Sequence, residues 1–249
     1  MISLIALEGI PEISPGDDLA ALIAAALVAA DIGLADYDIL VVTQKVVSKA
    51  EGRVVELASV TPGEKALAWA ARWGKDARQV ELVLSESAEV LRMAHGGLII
   101  SRTRHGFVCA NAGVDLSNTG GADLATLLPV DPDASARLLR EGLRALTGAA
   151  PAVVISDSFG RPWRNGIVNV AIGVAGMEAL VDLRATPDAD GRVMHATVIA
   201  VADELASAAD LAGGKVAQRP VVLVRGYRYE PGEGAASSLV MQRELDLFP

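Results

Sequence analysis

Two polar segments of this sequence carry residue types suited to metal and phosphate chemistry. The first is Asn111-Ala112-Gly113-Val114-Asp115-Leu116-Ser117-Asn118, which follows an apolar run and sets polar side chains on a glycine-containing loop. Asp115 is a hard oxygen donor suited to a divalent cation. Asn118 can hydrogen-bond a base, a ribose or a phosphate. The same residues also suit a purely local Asx turn. The second is Asp157-Ser158-Phe159-Gly160-Arg161-Pro162-Trp163-Arg164, where a carboxylate and a hydroxyl adjoin and two arginines follow. Asp157 and Ser158 could hold a metal while Arg161 and Arg164 neutralise anions. The competing reading makes Asp157 a helix cap and the arginines solvated surface.

Two further segments carry cations. Lys45 and Lys49 lie four residues apart after a buried-strand pattern. On a helical turn they would face one way and could contact phosphates, or simply form a solvated face. Gly213-Gly214-Lys215 is a glycine-rich bend with a cation. It lacks the GxxxxGK[ST] spacing of a phosphate-binding loop, and a helix C-cap also explains it. His95, His105 and His195 are isolated from one another and from any cysteine pair, so they read as structural rather than zinc ligands. His105, beside Arg104 and Gly106, is the exception to check. Cys109 sits in the apolar run FVCANAG and reads as a buried structural thiol.

The elements that must position these groups emerge from pattern. Strands are expected at residues 3–7, 38–43, 80–85, 98–101, 107–110, 152–156 and 220–225. Helices are expected at 19–30, after Asp17 and Asp18, and at 202–211, stopped by Gly213-Gly214. Thr61-Pro62-Gly63-Glu64 has the capping-box pattern and predicts a helix through residue 73. Residues 86–93 predict a short helix. Asp131-Pro132-Asp133 opens a helix with an apolar stripe at Leu138, Leu139, Leu143 and Leu146. The segment after residue 156 reads as one tight loop before the apolar stretch 168–176. Residues 188–191 form a turn, and 195–201 a strand or strand-to-helix junction. The irregular alternation, with strands following strands, predicts an α+β fold with mixed or antiparallel sheets rather than a (β/α)8 barrel. No repeat or linker is visible. The expectation is one unit across residues 1–249, with room for two interleaved subdomains.

Composition narrows the function classes. The chain has 249 residues, 51% of them hydrophobic, which excludes a disordered chain and allows a sizeable core. Thirty-one acidic against 22 basic residues leave a net charge of -9, the wrong sign for a general nucleic-acid binder. One cysteine excludes an intramolecular disulfide and a multi-cysteine zinc site and suits a reducing cytoplasm. The N-terminus has no basic n-region. The longest apolar stretch, residues 19–30, is shorter than the roughly 20 residues a bilayer needs. A cytoplasmic protein without membrane or nucleic-acid partners is expected.

Taken together the motifs resemble the coenzyme F420-0:L-glutamate ligases, also called F420-0:gamma-glutamyl ligases. The resemblance is carried by LEGIPEISPGDDL from Leu7, VVTQKVVSKAEGR from Val41, RHGFVCANAGVDLSN from Arg104 and DSFGRPWRNG from Asp157. VAIGVAG from Val170, the segment Ala202-Asp203-Glu204-Leu205-Ala206, PVVLVRG from Pro220 and the closing Asp246-Leu247-Phe248 continue it in order along nearly the whole chain. The similarity is to the stand-alone ligase, without a C-terminal nitroreductase-like extension.

The resemblance implies a GTP-dependent amide ligase. The γ-phosphoryl group would pass to the lactyl carboxylate of F420-0, and the amine of L-glutamate would attack the acyl phosphate. GDP, phosphate and the glutamylated deazaflavin would leave, and further γ-linked glutamates could be added. It implies two divalent ions, Mg2+ or Mn2+, with help from K+. Asp115 and Asp157 would hold the first metal and Ser158 would join the second. Arg161 would act with the two aspartates in catalysis. Ile10, Pro11, Glu12, Ile13, Gln44, Lys49 and Asn118 would line the GTP site, completed by Gly213, Gly214 and Lys215. Lys215 is a departure, standing where the family pattern has an acidic or amide residue near the second metal. The implied fold is an unusual α+β one in an intertwined homodimer with clefts shared between subunits. Two other classes remain: a non-catalytic GTP- or deazaflavin-binding module, and a ligase of the same fold for another carboxylate.

Overall fold

Residues 39–42 read Ile-Leu-Val-Val, a run with no polar face, so a strand there must be covered on both sides. The structure, a computed structural model, provides that cover. The described residues are 1–246 other than 118, 120 and 122, without the side chain of His95. In chain order the elements are β1 (Ser3–Ala6), α1 (Leu19–Ala29), β2 (Ile39–Thr43), α2 (Gln44–Ala50), β3 (Val54–Glu56), α3 (Glu64–Trp73), α4 (Ala77–Glu86), β4 (Ser87–Met93), β5 (Ile99–Thr103) and β6 (Val108–Ala110). Then come β7 (Leu124–Thr126), α5 (Pro132–Thr147), β8 (Ala152–Arg161), β9 (Arg164–Ala175), β10 (Val181–Asp182), β11 (Val198–Ile199), α6 (Val201–Gly213) and β12 (Val221–Arg225).

The central sheet has the order β1-β12-β2-β8-β9. Only β2 and β8 are parallel; the other neighbours are antiparallel. Leu40, Val42, Val153 and Ile155 face one side and pack with Ile23 and Leu27 of α1 and Leu139 and Leu143 of α5. Ile39, Val41, Ala152 and Val154 face the other, against Leu205, Ala206 and Ala209 of α6. The two-residue period of the strands thus feeds two apolar layers. Each fully buried aliphatic side chain contributes about 1.5–3 kcal/mol. A third apolar cluster around Ala66, Ala70, Val80, Val83, Ile99 and Leu127 joins α3 and α4 to the small sheets β4-β5-β6 and β3-β7. The fold is mixed α+β, as the sequence implied. Among the described residues no helix is long and apolar enough to cross a membrane.

Helices α1 and α5 begin where their signals lie. Asp18 accepts from the Ala21 N–H, and Asp131 from the Ala134 N–H with Pro132 in the first turn. Of the expected leucine stripe on α5, Leu139 and Leu143 are buried, whereas Leu138 and Leu146 are exposed.

Two neighbouring elements exchange type relative to the sequence reading. Residues 80–85 lie in helix α4 rather than a strand, and β4 replaces the expected helix at 86–93. The cause is a cap the pattern did not reveal: the Asp76 carboxylate accepts from the Arg78 N–H and starts α4. Val80 and Val83 are then buried three residues apart on one helix face. The capping box at Thr61 does not form. Helix α3 starts at Glu64 with Gly63 as N-cap, and the Gly63 N–H donates to Glu81 of α4 at 2.8 Å. The expected loop after residue 156 is a hairpin instead: β8 runs on to Arg161 and turns through Pro162-Trp163 into β9.

Candidate active site

Asp157 and Ser158 leave the core on β8 at a built irregularity. Ile155 pairs with Gly173 and Ser156 with Ala171, so Ile172 is one residue more than the ladder needs. A bulge of this kind bends the strand and re-aims the side chains next to it. On the hairpin side of the bulge, Asp157 faces Val170 and Ser158 faces Asn169. Gly173 is required by contact: a Cβ there would lie 2.3 Å from the Pro132 carbonyl oxygen.

The approach to Asp115 is equally constrained. Asn111 (φ 51°), Ala112 (φ 51°) and Gly113 (φ 73°) are left-handed in succession. The conformation is unfavourable for Ala112 and natural for Gly113. A Cβ at Gly113 would also lie 2.6 Å from Leu128 Cγ. The turn delivers Asp115 to Thr126 of β7, and the two exchange backbone hydrogen bonds of 3.0 and 2.8 Å.

Both segments open into one cavity of about 530 Å³. Ile10, Pro11, Glu12, Ile13, Gln44, Lys49, Asp115, Asp157, Ser158, Gly214 and Lys215 all line it, which gathers most of the residues singled out in the sequence. Gly213 lies beside it on a smaller recess shared with Ser156 and Asn169. Arg161 is not among the lining residues; its Nη2 donates to the Asn165 carbonyl at 2.8 Å near the hairpin turn. Arg164 is exposed on that hairpin. Asn118 lies outside the described residues. The cavity also includes Thr43, Asn169, Gln218 and Arg219, which the sequence reading did not select. Gln218 and Arg219 come soon after Gly213-Gly214-Lys215 and were findable by extending that bend. Gln218, three residues after Lys215, brings a side-chain amide to the same cavity. Asn169 carried no signal, because it sits in an apolar strand and only the hairpin register brings it to Ser158.

The cavity is wired by cation–oxygen contacts. Helix α2 forms directly after β2, so Lys45 and Lys49 share one side of it, as their spacing implied. Lys45 Nζ donates to Asp115 Oδ2 at 2.8 Å, to Ser117 Oγ at 3.2 Å and to the Ser117 carbonyl. Lys49 is buried and pairs with Glu12. Lys215 Nζ donates to Ser158 Oγ at 2.6 Å, and that hydroxyl donates to Asn169 Oδ1 at 2.7 Å. Arg219 pairs with Glu8 at 2.9 Å.

These surroundings drive the two carboxyls apart. Burial pushes Asp157 up to about 6, against the Ser158 N–H and the Lys215 charge, with the Asp115 charge adding to the rise. Asp115 is also raised by burial, but the Lys45 hydrogen bond and the Ser117 N–H outweigh that and hold it below its ordinary value. Divergent carboxyl environments in one cleft are a mark of a functional site. Burial and the Asp157 charge push the Cys109 thiol up to about 12, so it is inert, as expected of a buried thiol. His105 is structural too: its Nε2 lies 2.9 Å from the Pro129 carbonyl oxygen and its ring stacks on Phe107.

Among the described residues no group of three or more His, Cys, Asp or Glu is placed to hold a metal. The donors lining it are hard oxygens: the Asp115, Asp157, Asp210 and Glu12 carboxylates, the Ser158 hydroxyl and the Asn169 and Gln218 amides. Ser156 Oγ adds a buried hydroxyl without a partner on the same wall. Such a set fits Mg2+ or Mn2+, which use one or two carboxylates and complete their shell with water and phosphate oxygens. It does not suit zinc.

Residues 9–226 match the family model described as F420-0:Gamma-glutamyl ligase. The Coenzyme F420:L-glutamate ligase of Methanothermobacter thermautotrophicus is 47% identical over 250 residues, covering 99% of this chain and 98% of that protein. The proteins of the same name in Methanocaldococcus jannaschii and Methanopyrus kandleri are each 41% identical, covering 86% and 95% of this chain and 85% and 93% of their own lengths. With its cavity built from the matched segments, the chain belongs to the F420-0:gamma-glutamyl ligase family.

Proposed function

We propose that this protein joins L-glutamate to the lactyl carboxylate of coenzyme F420-0, using GTP and passing through an acyl phosphate. Membership of the ligase family supports an amide-forming enzyme, and the relatives' names support glutamate and F420 as its substrates. The observation that carries the reading is the meeting of Asp115, Asp157 and Ser158 with Lys45, Lys49, Lys215 and Arg219 in one cavity. Phosphoryl transfer needs positioning and charge neutralisation more than a protein nucleophile. A chain of net charge -9 must supply that neutralisation locally.

In this reading Ile10, Pro11, Glu12 and Ile13 form one wall of the GTP site, with Gln44 and Lys49 contributed by helix α2. Asp115, Asp157 and Ser158 would hold Mg2+ or Mn2+, which when bound neutralises charge on the phosphoryl oxygens. Lys45 and Lys215 then contact phosphate from the carboxylate and hydroxyl they now touch. The Ser158 hydroxyl stays oriented by Asn169. The proposal includes stimulation by K+ and a homodimer. The hairpin tip supports the dimer: Trp163 and Ile167 are 79% and 57% exposed, and Arg161 sits there rather than in its own chain's cavity.

The test mixes the protein with GTP, Mn2+, L-glutamate and F420-0. The expected product is F420-0 heavier by one glutamyl residue, with GDP and phosphate. GTP binding without product would favour the non-catalytic module, and a better carboxylate acceptor than F420-0 would favour the sister ligase.

A further inference from the structure

We infer that Asp203 and Ser207 are positioning residues for this site, gripping β9 so that Asp157 and Ser158 stay aimed into the cavity. The inference rests on the reading in which those two residues hold the divalent metal. Strand β9 is an edge strand, bonded only to β8 in the sheet order. Helix α6 takes two of its backbone groups with side chains. Ser207 Oγ donates to the Asn169 carbonyl at 2.7 Å, and the Ala171 N–H donates to Asp203 Oδ1 at 2.8 Å.

The spacing makes this a matched pair. Residues four apart on a helix rise about 6 Å on one face, and residues two apart on a strand span about 6.7 Å on one edge. The grip therefore brackets Val170, the residue facing Asp157, and fixes Asn169, the residue facing Ser158. The bulge at Ile172 begins directly beyond Ala171. A bulge that moved by one residue would turn the Ser158–Asn169 pair to the other face. On the far side of the bulge, Asp133 accepts from both Val174 N–H and Ala236 N–H at 2.8 Å and ties that end to the rest of the fold. Asp203 and Ser207 are not among the residues lining the cavity, so they act through β9.

The experiment measures Mn2+ binding to the metal-free protein by calorimetry, beside thermal melts and steady-state kinetics. Asp203→Ala and Ser207→Ala, shown folded by their melts, are expected to weaken Mn2+ binding by about 10–100-fold, the usual effect of removing a group that orients a ligand. Their kcat should fall more than the KM for GTP changes. Asp203→Asn keeps an oxygen acceptor for the Ala171 N–H and should bind Mn2+ nearly as the parent does. Asp157→Asn is the control. If it leaves Mn2+ binding intact, the metal reading fails and the inference with it. If it weakens binding while Asp203→Ala and Ser207→Ala do not, the inference alone is overturned. Should Asp203→Ala not fold, Ser207→Ala decides by itself.

Discussion

Lys45 Nζ lies 2.8 Å from Asp115 Oδ2, so a lysine already sits on a carboxylate that the proposed chemistry needs for a metal. The ammonium neutralises one carboxylate, and Lys215 occupies the Ser158 hydroxyl in the same way.

The Lys45–Asp115 pair makes a pH-dependent contribution to stability. Asp115 is held below its ordinary value of 3.8, so the pair stabilises the fold above that value and loses its effect as pH falls through the lowered one. Asp115 is partly exposed, so the contribution is small. Lys45→Met should lower Tm at pH 7 by up to about 4 °C, and the difference should shrink as pH falls below 3.8. A Tm difference that is constant from pH 3 to pH 7 would show that lost packing, not the ion pair, is responsible.

Asp157 runs the opposite way. Its carboxyl is raised from 3.8 to about 6 by burial, so above pH 6 its ionisation opposes folding by about 3 kcal/mol at most. In the presence of a chelator, Asp157→Asn should therefore raise Tm at pH 8 by several degrees. The gain should fade as pH drops below 6 and be gone only well below 3.8, where the carboxyl is neutral in the folded and the unfolded chain alike. The same variant should have no measurable ligase turnover. In the parent, Mn2+ affinity should fall as pH is lowered through 6, because protons compete for the carboxylate. An unchanged or lower Tm for Asp157→Asn at pH 8 would sink this account.

The chemistry was more legible than the scaffold. Asp115, Asp157, Ser158, Lys45 and Lys49 announce themselves by residue type beside apolar strands, Gln44 follows only from the family resemblance, and the cavity gathers them all. The interchange at α4 and β4 was hidden because Val80, Leu82 and Leu84 alternate like a strand, and only the Asp76 cap decides for helix. The hairpin was hidden because polar residues continue a strand that had been apolar up to Ile155. Asn169, Asp203 and Ser207 matter through register, a long-range property that no local pattern encodes.

Gly173 gives a steric test of the bulge. Its Cβ would meet the Pro132 carbonyl at 2.3 Å, and a backbone atom at a helix start cannot move aside as a side chain can. Gly173→Ala should cost about 1–3 kcal/mol by overpacking and should weaken Mn2+ binding, because the strain falls beside Asp157. Chemical denaturation of the metal-free variant measures the first effect and calorimetry the second. A fully stable Gly173→Ala protein would mean that helix α5 and strand β9 do not approach this closely.

Arg161 is fixed to Asn165 on the hairpin and does not stand on the cavity wall. If it serves the reaction in the proposed homodimer, it does so in the partner's cleft. Arg161→Ala and Asp157→Asn should then each abolish turnover when purified alone. In mixed dimers one of the two clefts escapes both changes. Co-refolded in equal amounts, the two inactive variants should regain about a quarter of parental activity, since half the dimers are mixed and half of their sites are intact. If Arg161 instead acts within its own subunit, each cleft of a mixed dimer carries one lesion and mixing restores nothing. Full activity of Arg161→Ala alone would remove the residue from the mechanism.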